Sequence, residues 1–378
     1  MKTPSDEIIA WLGLYLVPGL GNSAFRHLLE VFGRPEAVFK AGLSDLVKKG
    51  RLRDEIAQRI VGRKFSSDPE KELRKVENCN ARIVRYTDPA YPKPLKEIAS
   101  PPMLLYAKGK EIPASQTFIS IVGSRNATHY GLKVSEKLGF GLARRGVGVV
   151  SGMAKGIDSA AHKGCLRGKG FTIAVIGTGI DLVYPAINRK LSEQIAENGV
   201  VVSEFPTGSP PEPKNFPIRN RIISGLGRGV CVVEATRNSG SLITASMSGS
   251  LITASMALEQ GREVFAVPGS IDSFKSIGTH FLIKQGAGLI ENADDILEEL
   301  GLGYRPVQQK YNFGDMNDME PELNESEKKI YRILGDYPMH IDEIVRQGEM
   351  DIGRVSSVLM ELELKGLTKQ LMGKMFVR

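Results

Sequence analysis

Cysteine is scarce in this 378-residue chain: Cys79, Cys165 and Cys231 are far apart, odd in number, and form no C-x-x-C pair. That excludes a disulfide framework and a cysteine-based zinc site, and makes a reducing cytoplasm the expected home. Histidine is as sparse. His27, His129, His162, His280 and His340 are never paired at metal-ligand spacing, so no metal is expected. His162 follows Asp158, but reads as a helix residue with a local hydrogen bond rather than a general base. No G-x-S-x-G elbow and no P-loop occur, and the dinucleotide fingerprint fails because Leu182 stands where its third glycine belongs. Neither NAD nor ATP is supported, no cofactor is expected, and no catalytic set of side chains emerges. Long apolar runs are missing too. Residues 8–17 (IIAWLGLYLV) are too few to cross a bilayer, and Asp6 and Glu7 precede them where a signal peptide carries positive charge. The run reads as a core helix, with no membrane insertion.

What is present suits a globular protein of two or three domains, at 42% hydrophobic residues. The formal net charge of +7 fits a polyanionic partner without proving one. The basic excess lies in the first 300 residues, whereas the tail from Glu322 is slightly acidic.

Four blocks follow from composition. Residues 1–65 read as short helices around Val17-Pro18-Gly19-Leu20-Gly21-Asn22, which resembles the hairpin of a helix-hairpin-helix motif. A glycine turn in an interaction domain is the stronger reading there than direct DNA contact. Residues 66–300 form the main domain. It opens with a proline-punctuated lead-in to about residue 110, followed by TFISIVGS, GVGVVSG, FTIAVIGTG, GVVVSEF, GVCVVEA and EVFAVPG, separated by helical segments. Unbroken Val/Ile runs suit strands covered on both faces, and their alternation with helices predicts an α/β fold with a doubly wound parallel sheet. Residues 301–321 are polar and turn-rich, a linker. Residues 322–378 predict three helices and a hairpin about Gly373, a winged helix.

Ligands of such sheets bind at the carboxyl ends of the strands. There the chain places Gly123-Ser124-Arg125, then Gly152-Met153-Ala154-Lys155-Gly156-Ile157-Asp158, then Gly177-Thr178-Gly179. Glycine, serine or a cation ends every strand, the composition of an anion site. Lys214-Asn215-Phe216-Pro217-Ile218-Arg219-Asn220-Arg221 sets three cations and one aromatic ring within eight residues. Cations hold phosphates and a ring stacks on a base. A solvated basic loop with Phe216 tucked into the core fits the spacing equally well.

Together, IVGSR, SGMAKGIDSAAH, AVIGTGIDLVYP, SEFPTGSPPEPKNFPIRNRIISGL and VVEA followed by SGSLITA resemble the DNA-processing DprA (Smf) family, most densely over residues 119–300. The resemblance implies an extended Rossmann-like domain that binds single-stranded DNA, preceded by a helical, SAM-like domain. It also implies a homodimer through the Rossmann-like domain and delivery of protected incoming DNA to the RecA recombinase in natural transformation. No catalytic turnover is implied. Arg125 and Lys214 match positions that contact DNA in the family, with Phe216, Arg219, Asn220 and Arg221 in the same segment. Ala186 departs from the pattern, which often has lysine after Tyr-Pro; Arg189 or Lys190 stands near enough to compensate. The recognition helix of the winged helix carries Arg354 but also Glu361 and Glu363, which argues for a protein contact or regulatory role rather than groove reading. The alternative is an enzyme or sensor of nucleotide derivatives, such as a phosphoribohydrolase, whose PGGxGTxxE-type loop is not found.

Residues 239–256 spell SGSLITASM twice, where the family pattern has one SGSLITA. Absorbing nine more residues into a helix lengthens it by roughly 13 Å and turns its apolar face by about half a revolution. A looped-out copy is cheaper. The second copy, Ser248-Gly249-Ser250 onward, is therefore expected at the functional position, its serines capping the helix and its N–H groups lining the anion pocket. The first copy is expected to be an excursion.

Overall fold

The computed structural model describes residues 4–236, 248–302, 323–335, 338–365 and 367–377. Six helices come first: α1 (Pro4–Tyr15), α2 (Asn22–Phe32), α3 (Pro35–Val38), α4 (Leu43–Lys48), α5 (Asp54–Val61) and α6 (Pro69–Asn78). Strand β1 (Ala81–Arg85), helix α7 (Lys93–Lys96) and strand β2 (Leu104–Gly109) form the lead-in. The alternating core runs β3 (Phe118–Val122), α8 (His129–Arg144), β4 (Gly148–Ser151), α9 (Ile157–Arg167) and β5 (Thr172–Ile176). It continues through α10 (Arg189–Asn198), β6 (Val200–Ser203), α11 (Asn215–Leu226), β7 (Gly229–Val232) and α12 (Gly249–Glu259). It ends with β8 (Glu263–Ala266), α13 (Ile277–Lys284), β9 (Gly288–Leu289) and α14 (Ala293–Glu299).

These strands make one nine-stranded sheet in the order β1-β2-β6-β5-β4-β3-β7-β8-β9. From β6 to β9 every pair is parallel, while β1 and β2 add antiparallel at the β6 edge. All residues of β3, β4 and β5 are buried, as continuous apolar runs require of strands covered on both faces. The pleat sorts their side chains. Ile173 and Val175 join a core closed by Ile222, Ile223 and Leu226 of α11 and Leu251, Ala254 and Ala257 of α12. Ala174 and Ile176 face the other way, into a core closed by Trp11, Leu12, Phe25 and Leu28 of the helical layer and Leu191 and Ile195 of α10.

The helices at the start of the chain therefore share a core with the sheet rather than forming a body of their own. They also run past residue 65: Val76 of α6 is in the same core as α1. One compact unit holds residues 4–127 and 134–302.

The second copy of the repeat begins α12, with Ser248 extended at the N-cap, ψ 151°. The Ser248 hydroxyl contacts Ser250 Oγ at 3.0 Å and makes no capping bond to a backbone N–H, so the expected side-chain cap is not formed. The excursion expected for the first copy and most of the expected linker lie outside the described residues.

A second unit contains α15 (Glu325–Ile333), β10 (Met339–His340), α16 (Ile341–Gly348), α17 (Ile352–Leu364), β11 (Lys369–Leu371) and β12 (Met375–Val377). Ile330, Ile344, Val355, Leu359 and Leu362 form its core, and β11 and β12 make the wing across Gly373, whose φ is +80°. This is a winged helix. No helix among the described residues is long and apolar enough to cross a membrane.

Candidate nucleic-acid interface

Because β3 to β8 are parallel, their carboxyl ends share one edge of the sheet. The chain folds β3, β4, β5 and β6 in one direction, then returns through α11 to place β7 on the other side of β3. Connections diverge at that switch, which opens a crevice beyond the ends of β3 and β7.

Arg125, just past β3, is exposed, and its guanidinium lies 5.0 Å from the centroid of the Phe216 ring. Phe216 sits in the first turn of α11, half-buried, with the Tyr184 ring 5.9 Å away centroid to centroid. Gly177, at the end of β5, lets that ring in: a Cβ there would lie 3.1 Å from Phe216 Cδ1. The result is a ledge of two aromatic rings with an arginine above it. Lys155 and Lys214 are also exposed at this edge. Lys214 pairs with Glu212 at 2.7 Å, whereas neither Arg125 nor Lys155 has a carboxylate partner among the described residues. Helices α9, α11 and α12 begin here, and their first N–H groups add partial positive charge.

Beneath the surface the chemistry is structural. Arg219, one turn after Phe216 and 4% exposed, donates through Nη1 to the Gly152 carbonyl at 2.6 Å and to the Val175 carbonyl. It thereby ties α11 to the ends of β4 and β5, and its guanidinium lies 5.9 Å from the Phe216 centroid. Burial lowers its pKa to about 10, opposed by Asp158, so it stays charged near neutral pH. Asp158 is buried, and burial raises its pKa against the pull of Arg219 and of backbone N–H groups at Ala154 and Gly152. Gly152 separates the pair: a Cβ there would fall on the Arg219 guanidinium and 2.7 Å from Asp158 Oδ2. Asn220 is buried and donates to the Gly249 carbonyl at 3.2 Å, joining α11 to the start of α12. Arg221 pairs with Glu204, which also accepts from Asn22 Nδ2 at 2.7 Å. Arg219, Asn220 and Arg221 therefore support the surface from below instead of lining it. Asn22 also accepts from the Met103 N–H, which ties the start of α2 to the sheet, while Pro18, Gly19 and Gly21 of the hairpin before it are exposed.

Met153 sits at φ +55° with no exposed surface, a left-handed conformation unusual for its type, and Asn188 Nδ2 donates to its carbonyl at 2.7 Å. Gly156 has φ +79° and ψ −128°, and a Cβ there would strike the Ser124 carbonyl and lie 2.8 Å from that of Arg125. Only glycine lets the β4–α9 loop pass this close to the β3 loop. Gly156→Ala is expected to cost at least about 1–3 kcal/mol from backbone strain alone, read as a lowered Tm in thermal unfolding. Gly123 and Gly179 are close-packed in the same way, against Ile157 and against the Pro206–Gly208 turn.

Two residues at this edge escape a reading of motifs. Tyr184 is 46% exposed and completes the ledge; its sequence signal was only its place after the β5 turn. Lys275 follows β8 and donates to Ser124 Oγ at 3.3 Å, which brings a cation from a distant loop to the Gly-Ser-Arg turn.

Residues 82–248 and 245–301 match the family of DNA recombination-mediator protein A, in two pieces that meet inside the SGSLITASM repeat. Residues 316–374 match the DprA winged helix domain. Protein Smf of Synechocystis is 36% identical over 99% of both chains. DNA processing protein A of Streptococcus pneumoniae, known from an X-ray structure, is 36% identical, covers 79% of this chain with 99% of its own, and superposes with a TM-score of 0.65. The Helicobacter pylori protein, whose structure describes a single-stranded DNA binding mode, is 27% identical over 59% of this chain, with a TM-score of 0.50. A Rossmann-like sheet with a winged helix, the ordered strand-end motifs and these matches place the chain in the DprA/Smf family of DNA-processing proteins.

Proposed function

We propose that the strand-end surface binds single-stranded DNA, and that the protein is a cytoplasmic recombination mediator that shields an incoming strand and passes it to RecA during natural transformation. It acts by binding, without turnover of the strand. The observation that carries this reading is the ledge of Tyr184 and Phe216 under Arg125, set among helix N-termini. Aromatic rings accept the face of any base, and the surrounding cations accept phosphates, so the surface suits unpaired strands of any sequence. Ser124, Arg125, Lys155, Gly156, Lys214, Lys275 and the start of α12 at Ser248, Gly249 and Ser250 contact the strand. The family's description as a recombination mediator and the strand-binding H. pylori relative support the same reading. A homodimer forms through the Rossmann-like sheet. In support, β9 pairs on one side only among the described residues, and Leu289 on it and Leu258 on α12 are 51% and 63% exposed.

Titration of fluorescent oligo-dT across a salt series tests the reading. Phe216→Ala is expected to weaken binding by about 1–3 kcal/mol, the loss of one stacked base. Arg125→Ala is expected to reduce the slope of log K against log salt by about 0.7, one phosphate contact on a single strand. A folded protein that does not bind oligo-dT, or that prefers duplex of equal length, sinks the proposal.

A further inference from the structure

The loop between β6 and α11 carries the chain into Lys214 and Phe216, and residue after residue of it is tied down. The Glu204 carbonyl accepts from the Tyr15 hydroxyl, and its carboxylate holds Asn22 and Arg221. Thr207 donates through both its N–H and its hydroxyl to the two oxygens of Glu72, each at 2.7 Å. The Gly208 N–H donates to Asp181 at 2.8 Å, and the Ser209 carbonyl accepts from the Gly179 N–H at 3.0 Å. Asn215 Nδ2 then donates to the carbonyls of Gly177 at 3.2 Å and Pro210 at 3.3 Å, one residue before Phe216.

Three of these anchors, Tyr15, Asn22 and Glu72, come from α1, α2 and α6 of the helical layer. That layer lies before residue 82, outside the matched recombination-mediator region. An apolar cover would be enough to close this face of the sheet. Instead the layer directs three polar side chains at one loop, and Glu72 is 1% exposed with both oxygens engaged. A buried, fully satisfied polar contact selects one geometry of its partner, because any other geometry leaves polar groups unpaired.

We propose that Glu72 is a positioning residue for strand binding: through Thr207 it fixes the loop that presents Lys214 and Phe216, so the helical layer sets the affinity of a surface it does not itself form. This rests on the strand-binding reading above. It predicts that the layer, wherever it is perturbed near α6, is felt as a change in DNA affinity.

The test compares wild type with Glu72→Leu, which removes both acceptors, and Glu72→Gln, whose amide can accept from the Thr207 N–H and donate to its hydroxyl. Oligo-dT binding across a salt series is measured beside amide hydrogen exchange of residues 207–216 in the unbound protein. Glu72→Leu is expected to weaken binding about tenfold through the displaced Phe216 and to lower the salt slope by about 0.7 through the displaced Lys214. Exchange across 207–216 rises, and Glu72→Gln restores both readouts. Added to Lys214→Ala, Glu72→Leu changes the slope no further, because the same contact is already gone. A lowered Tm with wild-type affinity, slope and exchange would mean that Glu72 is an ordinary packing residue, and overturns the proposal. Should Glu72→Leu not fold, Thr207→Val removes only the hydroxyl bond; faster exchange over 207–216 is expected, and unchanged exchange refutes positioning. Wild-type protein that does not bind oligo-dT removes the strand-binding reading, and the exchange arm then decides positioning alone.

Discussion

Arg219→Met is expected to lower the free energy of unfolding by about 3–5 kcal/mol, as removal of one member of a buried charged network does. Methionine fills much of the same volume but donates nothing. The carbonyls of Gly152 and Val175, at the ends of β4 and β5, lose their donor. Asp158, buried beside them, loses the cation that opposes its desolvation. Strand binding falls as well, because the ledge loses its lower support under Phe216. Urea unfolding at neutral pH reads the first effect. Adding Asp158→Asn to Arg219→Met is expected to recover part of the loss, since the stranded carboxylate is then gone. A loss below about 1 kcal/mol for Arg219→Met, the range of an exposed pair, would show that Arg219 is not the tie described above.

Arg219 also marks where the sequence becomes legible and where it stops. The six Val/Ile runs become β3 to β8, because a strand buried on both faces needs an uninterrupted apolar run and little else produces one so short. The winged helix is equally readable from three amphipathic helices and a glycine hairpin. The second SGSLITASM copy starts α12, and it is the copy that runs directly into ALEQ, whose first three residues end the same helix. The strand order is not written in such runs, nor is the antiparallel β1–β2 addition at the β6 edge, since pairing depends on which neighbours the rest of the chain leaves open. The KNFPIRNR segment shows the same limit at the site. Its three cations look alike in sequence, yet Lys214 is exposed, Arg219 answers carbonyls just past β4 and in β5, and Arg221 answers Glu204. Helical geometry separates them: Asn215, Arg219, Ile222, Ile223 and Leu226 share one buried face of α11, and Asn220, Ser224 and Gly225 are buried on others, so no simple apolar periodicity marks the helix. The partners that make a buried arginine tolerable are 44 and 67 residues away, beyond any local pattern. Tyr184 and Lys275 escape a sequence reading for the same reason, since what gives each its role is a neighbour from another strand end.

Stability is expected to fall on acidification because of His162, which lies at 0% exposure on α9. Its Nδ1 meets Thr172 Oγ1 at 2.7 Å, and that hydroxyl donates its single proton to the Val149 carbonyl at 3.0 Å. The hydroxyl must therefore accept from the ring, which fixes the proton on Nδ1 and leaves Nε2 bare. Nε2 is buried, with no hydrogen-bond partner among the described residues. Protonating it would place an unpaired charge in the core close to Arg219, and burial with that arginine pushes the pKa from 6.5 down to about 3. Above pH 6.5 the ring is neutral both folded and unfolded, so no pH dependence arises. As pH falls through 6.5 the unfolded chain takes up the proton and the folded chain does not, so stability declines until about pH 3, where the folded ring also titrates. The full span is about 4–5 kcal/mol at 1.36 kcal/mol per pKa unit. Asp158 acts with the opposite sign, because a carboxyl whose folded pKa is raised favours the folded state as it takes up a proton, and it does so in both proteins compared. His162→Asn keeps an N–H donor for Thr172 and cannot titrate. Urea unfolding of wild type and His162→Asn at steps between pH 7 and pH 4 is expected to show a steep loss in the first and a shallower one in the second. Equal slopes would mean that the ring is solvated or paired on protonation, and that the acid sensitivity of the sheet lies elsewhere.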